Sequence, residues 1–525
     1  MRIGFASIYS WRPHVEHLHY LASLVRAEGH ETEFLTCDGD LPTCYTRELR
    51  SVRPGWQECL VCRVGGIRSY ENRNVSSIGE YASSLLSPPI PENWTTWGLS
   101  SASSLGRFES EADFTSPAFH ALAERLRPVV AKAYGAACNW IVNRRLDAIV
   151  VFNGRMDATR ALSEAALSNG IPFASLERTW FGDGLQILPG EGCLGLKSVD
   201  RLVSLFADKP LTHSQATKAA GYIASRFLRR NHNEWRAYNV NANMLPWPTS
   251  GRRKILLIPG SINELWGYPE WGSRWQHPLN AYDALIDHFS LDPADLVLRC
   301  HPNWGEHIGK ADGRMAEACY TQWAGQRGVL VIPSTDNAST LGLIEQADAV
   351  VVASGSAALE AGALGKQIIG ISGANYQMAG IREDASSEQK LRTLQLRSTL
   401  SEAEQESLAA SVRRQSLRFA YSVTHRIPQY VDYVKCVTPT RYRYKPGADP
   451  NRLVKLLTSG VLSPDDGDWS RDDQGELDVL ETMRNKQWEA LFQAREDTLD
   501  YASIRRRFPY GSLDAIRALM RVGDR

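Results

Sequence analysis

The stretch from Leu298 to Gly380 constrains this chain most. It begins LRCHPNWGEH, continues through short apolar runs, and reaches DAVVVASGSAALEAGALGKQIIGISGANY. Val297-Leu298-Arg299 ends a buried strand, and Cys300-His301-Pro302-Asn303 breaks it. Gly328–Pro333 reads as a second strand and Thr340–Gln346 as a helix. Asp348–Ser354 is a third strand, running through Gly355-Ser356 into a helix over Ala357–Leu364. Gln367–Ser372 is a fourth strand. Apolar runs bounded by turns and separated by helices predict a parallel sheet with helices on its faces. In such sheets ligands sit at the carboxyl ends of the strands.

Polar residues collect at those ends. Ser354, Gly355 and Ser356 close a strand and open a helix, where free N–H groups and the helix dipole favour a phosphate. His301 stands at another strand end and could donate to the same phosphate or to a leaving group. Glu360 falls one turn into the helix after Ser356, where a carboxylate suits the hydroxyls of a ribose. Either serine alone is accounted for by a turn with an N-cap. The set together, in one crevice, points to a nucleotide site.

The pattern R-x-H-P-N, then D-x-V-V-V-x-S-G-S-x-x-x-E-A-x-x-x-G-K-x-I, then a Gly and a Tyr, resembles the C-terminal half of the capsule-polysaccharide-synthesis glycosyltransferases. Members of that family resemble bacterial Kdo transferases and, more distantly, sialyltransferases. The resemblance implies an α/β, GT-B fold, with two Rossmann-like domains facing a cleft. It implies a donor site for a CMP-activated sugar made by the His-Pro and paired-serine motifs, here Arg299, His301, Pro302, Asn303, Ser354, Gly355, Ser356 and Glu360. It spans Arg299 to Gly365 most specifically.

At 525 residues the chain exceeds one core and suits two domains with additions. Lys+Arg and Asp+Glu are 59 each, so net charge gives no argument for nucleic acid. No run of 18 apolar residues appears, and Arg2–Ile8 reads as a strand rather than a leader. The expectation is a cytoplasmic protein whose membrane contact, at the inner membrane, would be peripheral.

Residues 1–245 read as an N-terminal Rossmann-like, acceptor-side domain. Arg2–Ile8 is a strand, His14–Glu28 a helix and Glu31–Cys37 a strand. His14, His17 and His19 fit a metal cluster poorly and read as part of a solvated helix. Cys37, Cys44, Cys59 and Cys62 are spaced C-x6-C-x14-C-x2-C. Paired cysteines in a cytoplasmic chain suit a structural zinc or iron–sulfur site, and free thiols beside a buried strand fit as well. Tyr70–Ser116, rich in Ser, Pro, Asn and Gly, is a long excursion on the acceptor side of the cleft. Pro117–Arg145 is a helix, Leu146–Arg155 a strand, Ala158–Asn169 a helix and Ile171–Arg178 a strand. The family resemblance offers Glu177 as a catalytic carboxylate. Asp183 weakly resembles the acidic motif of the sialyltransferases, and a salt bridge to Arg155 or Arg178 is the alternative for both. Val199–Phe206 reads as a further strand and Leu211–Asn241 as helical.

Residues 246–400 form the second Rossmann-like, nucleotide-sugar-binding domain, opening with the strand Lys254–Ser261. Glu264 follows that strand and is a second candidate carboxylate. Crossover helices occupy 401–445, and 446–525 is a helical C-terminal extension that the resemblance does not cover, suited to docking a partner or an assembly complex. Arg441–Lys445 reads as a solvated loop or a contact to a polyanion or lipid headgroups.

The reading is a glycosyltransferase acting on a growing capsule or lipopolysaccharide O-antigen glycan or glycolipid. Arg299, His301 and the Ser354/Ser356 helix end would neutralise the leaving phosphate without an obligatory catalytic metal. Glu177 or Glu264 would take the acceptor's proton or form a covalent intermediate. Alternatives are a transferase using a nucleoside-diphosphate sugar, a teichoic-acid-type polyol-phosphate transferase with His301 as base, a UDP-sugar epimerase, and a non-catalytic glycan- or nucleotide-binding scaffold.

Overall fold

The computed structural model describes residues 1–50, 53–82, 89–234, 239, 241–308, 311–493 and 499–519. Part of the Tyr70–Ser116 excursion (83–88), part of the Leu211–Asn241 stretch (235–238 and 240) and the basic end from 520 lie outside the described residues.

Two six-stranded sheets organise the chain. The first has strands β1 (Arg2–Ser7), β2 (Glu31–Thr36), β3 (Val75–Ser77), β4 (Ala148–Phe152), β5 (Phe173–Arg178) and β6 (Leu185–Pro189), in the order β3-β2-β1-β4-β5-β6. All neighbours are parallel except β5 and β6. The second has β7 (Ile255–Ile258) and β8 (Leu296–Arg299). After a small ribbon of β9 (His307–Ile308) and β10 (Ala311–Asp312) come β11 (Leu330–Ile332), β12 (Ala349–Val352), β13 (Gln367–Gly370) and β14 (Glu383–Asp384). Their order is β11-β8-β7-β12-β13-β14, all parallel. Each sheet reverses strand order once, between β1 and β4 and between β7 and β12. Such switch points open a crevice at the carboxyl ends of the strands. The two crevices face each other, which is the GT-B architecture.

Alternation along the strands divides the interior. In β7 and β12, Leu256, Ile258, Val350 and Val352 join a core shared with the first sheet, whereas Ile255, Leu257, Ala349 and Val351 pack into a second core on the other face. The helix Pro117–Arg144 starts with Ser116 accepting from the Phe119 N–H and with proline at its first position. Its Trp140 lies so close to β1 that a Cβ on Gly4 would stand 2.5 Å from the indole.

Two expectations are corrected here. Val199–Phe206 lies within a helix, Lys197–Ala207, because Val199, Leu202, Val203 and Phe206 form one buried stripe at helical spacing. The helix expected over Leu211–Asn241 covers His213–Phe227 and then ends.

After β14 the helix Glu402–Tyr421 crosses back. Arg441–Lys445, expected as a solvated loop within a run of crossover helices, instead belongs to a ribbon of β15 (Val434–Thr438) and β16 (Arg441–Tyr444) that packs on the first unit: the Tyr444 hydroxyl lies 2.9 Å from His17 Nδ1. Among the described residues no helix is long and apolar enough to cross a membrane.

Candidate functional site

A cavity of about 1500 Å³ lies between the sheets, lined by the loops after β1, β4, β5, β7, β8 and β12. On the first-sheet wall stands Glu177. Its Oε2 accepts from Asn153 Nδ2 at 2.9 Å, and its Oε1 accepts from the Arg178 N–H at 3.1 Å. Oε1 also lies 3.2 Å from His14 Nε2. Asn153 follows β4 with φ of 64°, a turn conformation that aims its amide at the carboxylate. The His14 ring packs on Phe152 with centroids 4.2 Å apart and is 5% exposed. Burial raises the Glu177 carboxyl, opposed by Arg178, and burial with Arg178 lowers the imidazole of His14. Neither group favours charge, and a carboxyl and an imidazole at this distance can exchange a proton. His14 and His17 are thus buried, contrary to the solvated-helix expectation. The helix His14–Ala27 turns its histidines inward against Phe152, Tyr442 and Tyr444.

Asp183 lies elsewhere. Its Oδ1 accepts from the Cys436 N–H at 2.8 Å and its Oδ2 sits 3.5 Å from Lys435, so it anchors the β15–β16 ribbon and does not line the cleft.

On the opposite wall, exposed Glu264 accepts from Asn303 Nδ2 at 3.1 Å. His301 Nδ1 accepts from the Asn303 N–H at 3.3 Å, which places the proton of a neutral ring on Nε2. Arg299 lines the cleft but its Nη1 and Nη2 donate to the carbonyls of Pro333 and Asp336, the latter at 3.0 Å. It braces the loop after β11.

The Ser354-Gly355-Ser356 turn opens the helix Ala357–Ala363 into the same cleft. A Cβ on Gly355 would meet nothing within 4 Å, so its backbone faces open space. Behind it lies a residue the sequence did not single out. Arg226 donates to Glu360 Oε1 (2.7 Å), Glu234 Oε2 (2.7 Å) and Ser356 Oγ (3.2 Å). Burial opposes the Arg226 charge, and Glu234 and Glu360 restore it. Burial likewise raises the Glu360 carboxyl, and Arg226 offsets this. Glu360 Oε2 has no hydrogen-bond partner among the described residues. Only the run RFLRR hinted at a cation here, and nothing in the sequence paired it with Glu360.

The four cysteines do not form the expected metal site. Cys37, Cys44, Cys59 and Cys62 line a separate cavity of about 30 Å³, and all four are free. Among the described residues no group of three or more His, Cys, Asp or Glu is arranged to hold a metal ion. Burial raises the Cys37 thiol to about 11 and also raises Cys44 and Cys62, favouring neutral thiols over thiolates.

Residues 209–419 match the family model described as "Capsule polysaccharide biosynthesis protein". No curated protein matches the chain. Among solved structures it is similar to the KpsC beta Kdo 2,4 transferase of Thermosulfurimonas dismutans, with 14% identity over 65% of this chain and 87% of that one and a TM-score of 0.32. Against the beta Kdo 2,7 transferase of the same protein the values are 13%, 67%, 89% and 0.33. The UDP-GlcNAc 2-epimerase of Neisseria meningitidis bound to UDP-GlcNAc matches at 12% identity over 81% of this chain and 98% of that one, with a TM-score of 0.27. The matched residues contain Arg226, the His301 loop and the Ser354–Glu360 turn, so the likeness to that family model falls on the second-sheet wall of the cleft.

Proposed function

We propose that this protein is a glycosyltransferase that moves a sugar from a nucleotide donor onto a capsule-type glycan, with a CMP-activated, Kdo- or sialic-acid-like sugar as donor. The observation that carries this reading is the facing of two strand-order switch points across one cleft. A proton-handling pair, Glu177 with His14, stands on one wall. The His301 loop and the open Ser354-Gly355-Ser356 turn stand on the other.

In this reading the donor phosphate rests on the Gly355–Ala357 amides and on the Nε2 proton of His301. Glu360 Oε2 accepts from a ribose hydroxyl, while Arg226 keeps that carboxylate ionised and in place. Glu177 takes the proton of the acceptor hydroxyl, or attacks the anomeric carbon if configuration is retained. Glu264, across from it and tethered by Asn303, is the second candidate for either task.

The test is a thermal-shift screen of CMP, CDP, UDP, GDP and ADP, followed by release of CMP from a CMP-sugar without acceptor. Stabilisation by CMP alone, with slow release abolished in His301→Ala, supports the proposal. Stabilisation by UDP or GDP alone removes the CMP donor and leaves a nucleoside-diphosphate-sugar transferase. Binding by none would leave a scaffold.

A further inference from the structure

One segment of the excursion between β3 and β4 reaches across the cleft. The helix Leu99–Gly106 and the turn after it precede β4 in sequence, yet they bond to loops of the second sheet. The hydroxyls of Ser103 and Ser104 each donate to the Asn263 carbonyl at 3.1 Å. Arg107, 4% exposed, donates to the Glu306 carbonyl at 3.0 Å and to the Asn303 carbonyl at 2.5 Å. Glu109 is fully buried. Its carboxylate accepts from the Ile262 N–H (2.8 Å), from Ser261 Oγ (3.1 Å) and from Asn263 Nδ2. All of these contacts land on two loops, 261–264 and 301–306, which carry Glu264 and His301.

We propose that residues 99–111 form a clasp in which Arg107 and Glu109 are positioning residues, fixing where Glu264 and His301 stand across the cleft from Glu177. The effect on turnover rests on the glycosyltransferase reading; the clasp itself does not. Arg107 presents two donors in a fixed fork, which matches two carbonyls of one loop. Glu109 gathers three donors at the start of the other loop, and no uncharged side chain of its size offers as many acceptor sites.

The clasp is sensitive to protonation at one point. Burial pushes the Glu109 carboxyl up to about 8, against the pull of Ile262, Ser261 and Asn263. Other groups face it. Asp113 accepts from the Glu109 N–H at 3.1 Å, and a ring nitrogen of His277 lies 3.0 Å from the Glu109 carbonyl. Cys319 and Tyr320 approach from the helix Arg314–Arg327. Burial lowers His277, and raises Cys319 to about 12 and Tyr320 above its usual range, so these three stay neutral while Glu109 titrates. The clasped state therefore binds a proton that a released Glu109 gives up, and the clasp loosens as pH rises from the ordinary carboxyl range to about 8.

Hydrogen exchange on the full chain tests the clasp without a ligand. Glu109→Ala and Arg107→Ala should speed exchange in 261–264 and 301–306 at least tenfold and leave β1, β4 and β5 unchanged. Unchanged exchange in the two loops overturns the proposal. CMP-N-acetylneuraminic acid then serves as donor probe. Glu109→Ala should lower kcat for CMP release at least tenfold with KM altered less than threefold. Arg107→Lys should recover part of what Arg107→Ala loses, and Glu109→Gln, which cannot titrate, should erase a limb of the wild-type pH profile near 8. A lower melting temperature with an unaltered kcat and pH profile would make the segment a fold contact only and sink the positioning role. If the wild-type protein releases no CMP, the donor reading fails, and the exchange data alone decide the clasp.

Discussion

Glu177 and His14 meet in a pocket that penalises charge on either. A substitution that keeps shape but removes the titrating group isolates the proton-handling role. Glu177→Gln should lower nucleotide release by about 10²–10⁴-fold while leaving the melting temperature within a few degrees. Buried titrating groups also shape stability. Glu109 titrates near 8, Glu16 near 7 and Asp200 near 6 in the folded protein, all raised by burial. Between the ordinary carboxyl range and those values the folded state binds more protons than the unfolded one. Stability therefore falls as pH rises through that window, by up to about 1.4 kcal/mol per pH unit for the deeply buried Glu109 and Glu16, and by less for Asp200, which solvent screens. His14, His17 and His425 are lowered by burial, so they act oppositely and stability rises with pH up to the ordinary histidine value. Urea midpoints from pH 5 to 9 should peak in the slightly acidic to neutral range, and Glu109→Gln should flatten the alkaline side. A monotonic rise to pH 9 would contradict these assignments.

Among elements, the helix His213–Phe227 matters most, because its Arg226 bonds to the helix that begins at Ala357. Removing the guanidinium strands two buried carboxylates. Arg226→Leu should cost about 3–5 kcal/mol in denaturant unfolding, whereas a loss under 1 kcal/mol would show that the carboxylates find other partners. A tight crossing lies nearby: a Cβ on Gly362 would stand 1.9 Å from Ser416 Oγ. Gly362→Ala should cost about 1–3 kcal/mol, and adding Ser416→Ala should restore part of it, which additive costs would refute. The parallel strands were legible as apolar runs because both of their faces are covered. Val199–Phe206 was misread because a short apolar stretch suits either period, and only the spacing of Val199, Leu202, Val203 and Phe206 reveals the helix. β6 escaped notice because Gly182, Gly184 and Pro189 frame it as a loop. Arg226, Glu109 and the inward-facing His14 were illegible for another reason: the partners that place them in the cleft, Glu360, Ser261 with Asn263, and Glu177, lie more than 130 positions away, and a single sequence carries no record of such pairings.

For the whole molecule, a ligand held by both walls should stabilise the folded state as a unit. A nucleotide at 100 times its dissociation constant should add about 2.7 kcal/mol, read as a rise in a single thermal transition. Two separate transitions, with only one responding, would mean that the sheets melt independently. The motifs from Arg299 to Gly365 marked strand ends of the second sheet, and the expectation of two facing sheets came from the family resemblance those motifs carry. The four-cysteine spacing misled, since proximity in sequence did not arrange the thiols around an ion. Residues that pack on the first sheet both precede β7 and, in the β15–β16 ribbon, follow β14. The second sheet is therefore hung like a door on two hinges. The contacts of Arg107 and Glu109 add a third tie across the cleft, separate from the two chain crossings. These links hold Glu177 on one wall and His301 on the other, facing one cavity.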